Sequence, residues 1–169
     1  LVSSPIRLAM EPEIAEAGAN SIAWADLPAQ TQANSLGEFG RRSWGSLRIA
    51  MPNGPQSDAT ALSSQAVAAG TVPTTSPLTA AQASSPPVTE ALDRLMSAPP
   101  RVGDGAVDAA VRSIAETTDP ADAPVRAVAV TEQQLYAITK DDKTARVAAV
   151  APKGQTPVAD YPAIRLADK

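Results

Sequence analysis

The sequence contains no cysteine and no histidine. Without cysteine there is no disulfide framework, no thiolate nucleophile and no zinc site built from sulfur ligands. Without histidine there is no imidazole base and no Ser-His-Asp triad. Most common routes to catalysis are therefore closed. The sequence predicts a protein that is not an enzyme and that holds no cofactor and no metal.

Large apolar side chains are also scarce. Leu, Ile, Val and Phe together number 32 of the 169 residues, whereas 35 of the residues that count as hydrophobic are alanine. Alanine contributes little buried area, and burial stabilises a fold by roughly 25 cal/mol per Å² of apolar surface. The composition therefore predicts a small core with much chain outside it. Chain of this kind becomes ordered by lying on a partner.

Long apolar runs and basic clusters are missing as well. No apolar run approaches the roughly 20 residues that a membrane-spanning helix needs, so we expect no transmembrane segment. The net charge is −4 and is spread evenly along the chain, without the basic excess of a nucleic-acid binder. These features predict protein partners, no nucleic acid, and at most a peripheral place on a membrane complex.

What the sequence does contain is a long segment, 52–88, rich in Pro, Ser, Thr and Ala. It has six prolines, no aromatic residue and a single charge, Asp58. Because so little apolar surface cannot offset the entropy of ordering the backbone, we expect a linker and not a folded unit. At most, residues 61–69 predict a brief helix of marginal stability.

Residues 1–51 before this linker predict an extended arm with short apolar anchors. Ile6 and Leu8 alternate with Arg7 and Ala9 as in a strand, and Pro5 restricts that strand to a sheet edge. Further along the arm, glycines separate aromatic and basic side chains, which favours tight turns that present them. Three uses are open for these turns: an anion site, a partner-binding surface and simple core filling. The predicted partner-binding residues are Ile6, Leu8, Trp24, Phe39, Arg41, Arg42, Trp44 and, in the tail, Tyr161.

Residues 89–152 predict a small α+β unit. Helical periodicity covers 88–97 and 105–117, and short β-branched runs at 125–131, 134–139 and 145–152 predict a three-stranded antiparallel sheet whose last two strands form a hairpin. The tail, 153–169, predicts extended chain. The fold class expected is α+β with large irregular content.

Together these features predict a non-catalytic accessory or scaffold subunit that wraps and stabilises a larger complex. Alanine-rich, lysine-poor composition is typical of bacterial proteins from GC-rich genomes, and a start at Leu1 suggests processing. We therefore expect a periplasmic or other extracytoplasmic location, for example in a small subunit of a membrane-bound periplasmic dehydrogenase. Two alternatives stay open: a structural component of a phage particle or secretion apparatus, and a small ligand- or partner-binding module.

Overall fold

The computed structural model describes residues 2–73 and 77–162, and they form a mixed α+β fold. The mixed class agrees with the prediction from sequence. The sheet has five strands: β1 (Val2–Met10), β2 (Ile49–Ala50), β3 (Ala127–Thr131), β4 (Ala148–Val150) and β5 (Val158–Tyr161). Their order is β2-β3-β1-β4, with β5 also paired to β1. The β2–β3 pair is parallel, and every other pair is antiparallel.

Helices make up most of the remaining regular structure. The α-helices of the described residues are α1 (Pro12–Glu16), α2 (Leu27–Gln30), α3 (Asp58–Thr71), α4 (Ala80–Ala83), α5 (Pro86–Met96), α6 (Val107–Ala115) and α7 (Glu132–Thr139). Short 3-10 turns link several of them. No helix within residues 2–73 and 77–162 is both long enough and apolar enough to cross a membrane.

Strand β1 lies in the middle of the sheet, not at its edge. From Ile6 onward it pairs with β3, and its last residues also pair with β4. The prediction of an edge strand was therefore wrong for this part. Pro5, which prompted it, lies where β1 pairs with β5 alone. There the missing N–H of proline costs no bond to a second neighbour.

Side chains alternate between the two faces of the sheet along each strand. Helices cover both faces. One face carries Ile6, Leu8 and Met10 and packs against α1, α2, α3 and α5. The opposite face carries Ala9, Val128 and Val130 and packs against α6 and α7. The result is a sheet between two helical layers, with a core on each side.

The segment 52–88 is not the linker that its composition predicts. Residues 58–71 form the 14-residue helix α3, in which Ala59 and Val67 are fully buried in the chain's own core. Small side chains make this possible, because they let α3 approach its neighbours closely. A Cβ added at Gly70 would lie 3.1 Å from the Cβ of Ala25. Close packing of small side chains takes the place of large side chains here. A count of large apolar residues therefore underestimates the extent of the core.

The predicted C-terminal sheet is also corrected. Residues 134–139, expected to form a strand, belong to helix α7. A capping box starts that helix: Gln134 N donates to Thr131 Oγ1 at 3.0 Å, and Thr131 N donates to Gln134 Oε1 at 3.2 Å. This Thr-x-x-Gln signature outweighs the β-branched composition of the run. No hairpin therefore forms, and the strand expected at 145–152 shrinks to β4 and pairs with β1.

The other predicted elements compare as follows. The helices expected at 88–97 and 105–117 are confirmed as α5 and α6 with slightly shifted ends. The tail expected to be extended includes β5, whereas residues 163–169 lie outside the described residues. Strands from all parts of the chain share one sheet, so the N-terminal 51 residues are not an extended arm but contribute the central strand.

Candidate binding surface

Three of the predicted partner-binding residues lie inside the protein. Ile6 and Leu8 have no exposed surface, and Trp24 is 1% exposed. All three belong to the core on the α3 side of the sheet. They stabilise this chain's own fold and are not available to a partner at its surface.

Four others lie together in residues 34–45, which we call the aromatic loop. Two 3-10 turns, Ser35–Phe39 and Arg42–Trp44, are separated by Gly40, whose φ of 73° suits glycine. The loop is closed by its own backbone. Leu36 N donates to Gly45 O at 3.0 Å, and Arg41 N donates to Leu36 O at 2.8 Å.

The aromatic loop is also fixed to the body of the protein through Gln30, the last residue of α2. The Gln30 carbonyl accepts bonds from Ser35 Oγ at 2.7 Å and from Leu47 N at 3.0 Å. Its side-chain Nε2 donates to Glu38 Oε2 at 2.8 Å. Leu36 is fully buried beneath the loop. The loop is therefore held at both ends and in its middle.

The outer side of the aromatic loop combines arginine with aromatic rings. The guanidinium carbon of Arg41 lies 5.2 Å from the centre of the Trp44 ring, within range of a cation–π interaction. Phe39 and Trp44 are half-buried against the core, and Arg42 is exposed. The two ion pairs found in the described part of the chain, Arg7–Glu132 and Arg146–Glu13, include neither loop arginine. The loop thus presents basic charge beside aromatic surface.

Tyr161, the remaining predicted residue, is not part of this loop. It lies in β5 opposite Val2 of β1. Tyr161 is 38% exposed and Val2 58% exposed. The structure therefore groups Phe39, Arg41, Arg42 and Trp44 but places Tyr161 on a separate strand pair.

A groove between α3 and α5 is a second candidate surface, which we call the helix groove. Its volume is about 750 Å³. Small residues of α3, such as Ser64 and Ala68, form one wall, and Val88 and Leu92 of α5 form another. Val158 of β5 lines a further side. The surface is mostly apolar, and nothing in the composition of these residues singled it out in advance.

Two buried ionisable groups lie away from both surfaces. Glu11 has no exposed surface and caps α1, with its Oε2 accepting from Glu13 N at 2.7 Å. Burial raises the pKa of this carboxyl, and its Oε1 has no hydrogen-bond partner among the described residues. A raised pKa is common in active sites. Here, however, the carboxyl is enclosed, so no substrate reaches it in this conformation.

Arg126 is the second buried group, at the start of β3. Its guanidinium donates to three backbone carbonyls: Pro120 O at 3.1 Å, Ser46 O at 2.9 Å and Ala121 O at 2.5 Å. Burial and the charge of Arg48 lower its pKa to about 10. The side chain therefore stays charged at neutral pH and ties two loops to the sheet.

Residues 2–73 and 77–162 contain no group of three or more potential metal ligands among Asp and Glu side chains. The candidate chemistry of the described residues is binding by arginine, aromatic and apolar surfaces.

Comparisons with known proteins give relatives without an assigned role. No protein-family model matches the chain, and no solved structure matches it. Two proteins of Mycobacterium tuberculosis, from strains CDC 1551 / Oshkosh and H37Rv, are 40% identical to it over 98% of its length, and both are named as uncharacterized. The alignment covers 24% of each relative. The chain therefore spans about a quarter of the length of these proteins.

Proposed function

We propose that this chain is a non-catalytic partner-binding module within a larger protein assembly, and that the aromatic loop is its partner-binding surface. The observation that supports this most directly is the Arg41–Trp44 stack on a loop that is already fixed by hydrogen bonds. Trp and Arg are the residues that most often dominate interface energies.

The fixed loop favours binding because little conformational entropy is lost when the partner arrives. Arg41 is held against the Trp44 ring, and Arg42 projects into solvent. Glu38 is the acidic side chain within the loop, and its carboxylate is bonded to Gln30. A partner that matches this surface carries carboxylates beside an apolar patch, so that the arginine forks bind the carboxylates in pairs of hydrogen bonds.

This proposal keeps the accessory role expected from the sequence but changes the way in which the chain binds its partner. Wrapping by an extended arm and a linker required residues 52–88 to lie outside the core of this chain. Val67, however, is buried in that core. Binding through a folded surface needs no such segment. The location in the cell envelope and the association with a dehydrogenase complex stay predictions.

The test is binding of a partner isolated from the source cells and then purified. Arg41→Gln combined with Arg42→Gln should weaken its binding about tenfold or more, because two charge-assisted contacts are lost. Both side chains reach the surface, so the fold should survive. Trp44→Ala should weaken binding similarly. Tyr136→Ala is the matched control, since Tyr136 is 69% exposed on α7. Unchanged affinity of the double arginine variant, with an intact fold, would refute the proposal.

The helix groove supports a second candidate, a small-ligand-binding module. Its volume of about 750 Å³ lies within the range of ligand sites, which runs from about 300 to 1,000 Å³. Filling it by Ala69→Leu should abolish any ligand-induced rise in melting temperature while leaving partner binding at the aromatic loop unchanged. Loss of both activities together would argue against two separate sites.

A further inference from the structure

A smaller cavity of about 300 Å³ lies beside the start of β2, and we call it the proline cavity. Pro99, Pro100 and Pro124 line it together with Ile49 and Leu95. Proline rings and branched aliphatic side chains form the apolar part of the wall, which is stiff because a proline ring has little freedom to lose on binding. A threonine and a serine of the lining add polar surface. The cavity is separate from the aromatic loop and from the helix groove.

One cationic side chain, Arg48, also lines the proline cavity. Its Nη1 donates to Ala123 O at 2.7 Å, which holds the guanidinium next to the residue that precedes Pro124. Its backbone has a φ of 49°, in the left-handed region that residues other than glycine rarely adopt. The backbone is kept there by Arg126 N, which donates to Arg48 O at 3.1 Å. Such conformations persist only where the surroundings enforce them, and they concentrate at functional sites.

A second guanidinium is hydrogen-bonded to the wall of the cavity. Arg126 Nη1 donates to the carbonyl of Ser46, and Ser46 is itself a lining residue. Burial and, next to it, repulsion by the charge of Arg48 lower the pKa of Arg126. Glu11 and Asp122 partly offset this repulsion. In the described ranges neither arginine forms an ion pair with a carboxylate.

From this arrangement we infer that the proline cavity binds a small organic carboxylate with a compact apolar body. The Arg48 guanidinium would donate hydrogen bonds to the carboxylate, because guanidinium and carboxylate match in a bidentate pair. The apolar body would pack on the proline rings, Ile49 and Leu95. An inorganic anion would satisfy the arginine but leave these walls in water.

The size of the cavity limits the ligand further. Its volume corresponds to roughly ten water molecules at about 30 Å³ each. A carboxylate with a branched or ring-shaped body of similar size fits, whereas a long acyl chain does not. The same chemistry could come from a free acid or from the C-terminal carboxylate of a peptide that ends in an aliphatic residue. We expect the free acid, because a volume of about 300 Å³ accommodates little beyond one such group.

The experiment is a titration of the 169-residue chain, followed through backbone amide signals by NMR. The probes are 4-methylpentanoate, its neutral analogue 4-methylpentanamide, and the acetylated dipeptide Ala-Leu with a free C-terminus. We expect saturable shifts at residues 46–49 and 95–98 with the acid, with a dissociation constant of roughly millimolar order for so few atoms. The amide should bind about tenfold more weakly or not at all. Dipeptide binding tighter than that of the acid would identify a chain terminus as the source.

Variants separate binding from folding. Arg48→Gln should weaken the binding of the acid about tenfold and leave the weak binding of the amide unchanged. Arg48→Gly removes the same guanidinium but suits the left-handed backbone, so it serves as a second variant if the first one folds poorly. Arg101→Gln is the control, since Arg101 is exposed and does not line the cavity. Equal binding of acid and amide, undiminished acid binding by both Arg48 variants, or no saturable binding of either carboxylate probe would each overturn the inference.

Discussion

Helices α3 and α6 lie on opposite faces of the same sheet, yet their sequences signal them very differently. The α6 sequence places Val107, Val111 and Ile114 on one side, and its helix was predicted. The α3 sequence offers mainly alanine and serine, and most of it was predicted to be linker. Both helices nevertheless contact β1 and β3. The comparison teaches that a helix of small residues can be buried by close approach, and that such burial leaves little trace in the sequence.

The strongest way to break this comparison is a charge in the middle of α3. Val67→Asp places an unpaired carboxylate where no surface is exposed, and we expect a loss of about 3 to 5 kcal/mol in the free energy of unfolding. Chemical denaturation followed by circular dichroism measures it. Ala61→Asp, at an exposed position of the same helix, should cost little. Equal stability of the two variants would mean that α3 does not belong to the core.

A matched pair of cavity variants sharpens the comparison. Val67 in α3 and Val111 in α6 are both fully buried. Val67→Ala and Val111→Ala should each lower the free energy of unfolding by about 1 to 3 kcal/mol, since each removes two methyl groups and leaves a void. Denaturation of both variants under one set of conditions gives the two values. A much smaller loss for Val67→Ala would show that α3 packs more loosely than α6.

A weaker test compares the first turns of the two helices. Asp58 begins α3 and Asp108 lies in the first turn of α6, and both are exposed. Asp58→Asn and Asp108→Asn should each cost about 0.3 to 1 kcal/mol, because a negative charge near a helix N-terminus is favourable. The losses should shrink in high salt. Thermal melts at low and high salt check both statements, and a salt-independent loss would point to another cause.

The smallest expected effect is a pH dependence of the free energy of unfolding, which both helix variants should share. Burial raises the pKa of Glu11 above its ordinary value of 4.5, so the folded chain binds a proton more readily than the unfolded chain. The contribution of this group to stability is therefore greatest at low pH and declines as the pH rises from 4.5 through the raised value. Glu11→Gln should remove this decline above pH 4.5. The Val67→Ala and Val111→Ala variants should retain it equally, as denaturation at several pH values would establish.

The prediction that candidate binding residues lie at the surface on tight turns is confirmed where turn chemistry carried the information. Gly40 and Gly45 marked tight turns, and Arg41, Arg42 and Trp44 lie on such turns. It failed for Ile6, Leu8 and Trp24, which the structure buries. An alternating pattern tells that one face of a strand is apolar. It does not tell whether a partner or the chain's own helices cover that face, because the covering helix α3 is distant in sequence and weakly marked.

By itself the sequence determined the local elements with strong signals: the turns of the aromatic loop, the helices α5 and α6, and the strand β3. It also determined the absence of cysteine and histidine chemistry, since that follows from composition alone. Only the tertiary structure decided that β1 is central, that residues 58–71 are a core helix and that Arg48 lines a cavity with three prolines. The physical reason is the distance along the chain between the residues that interact. Turns and amphipathic helices are encoded by residues a few positions apart, whereas sheet order and close packing depend on contacts between residues far apart in the chain.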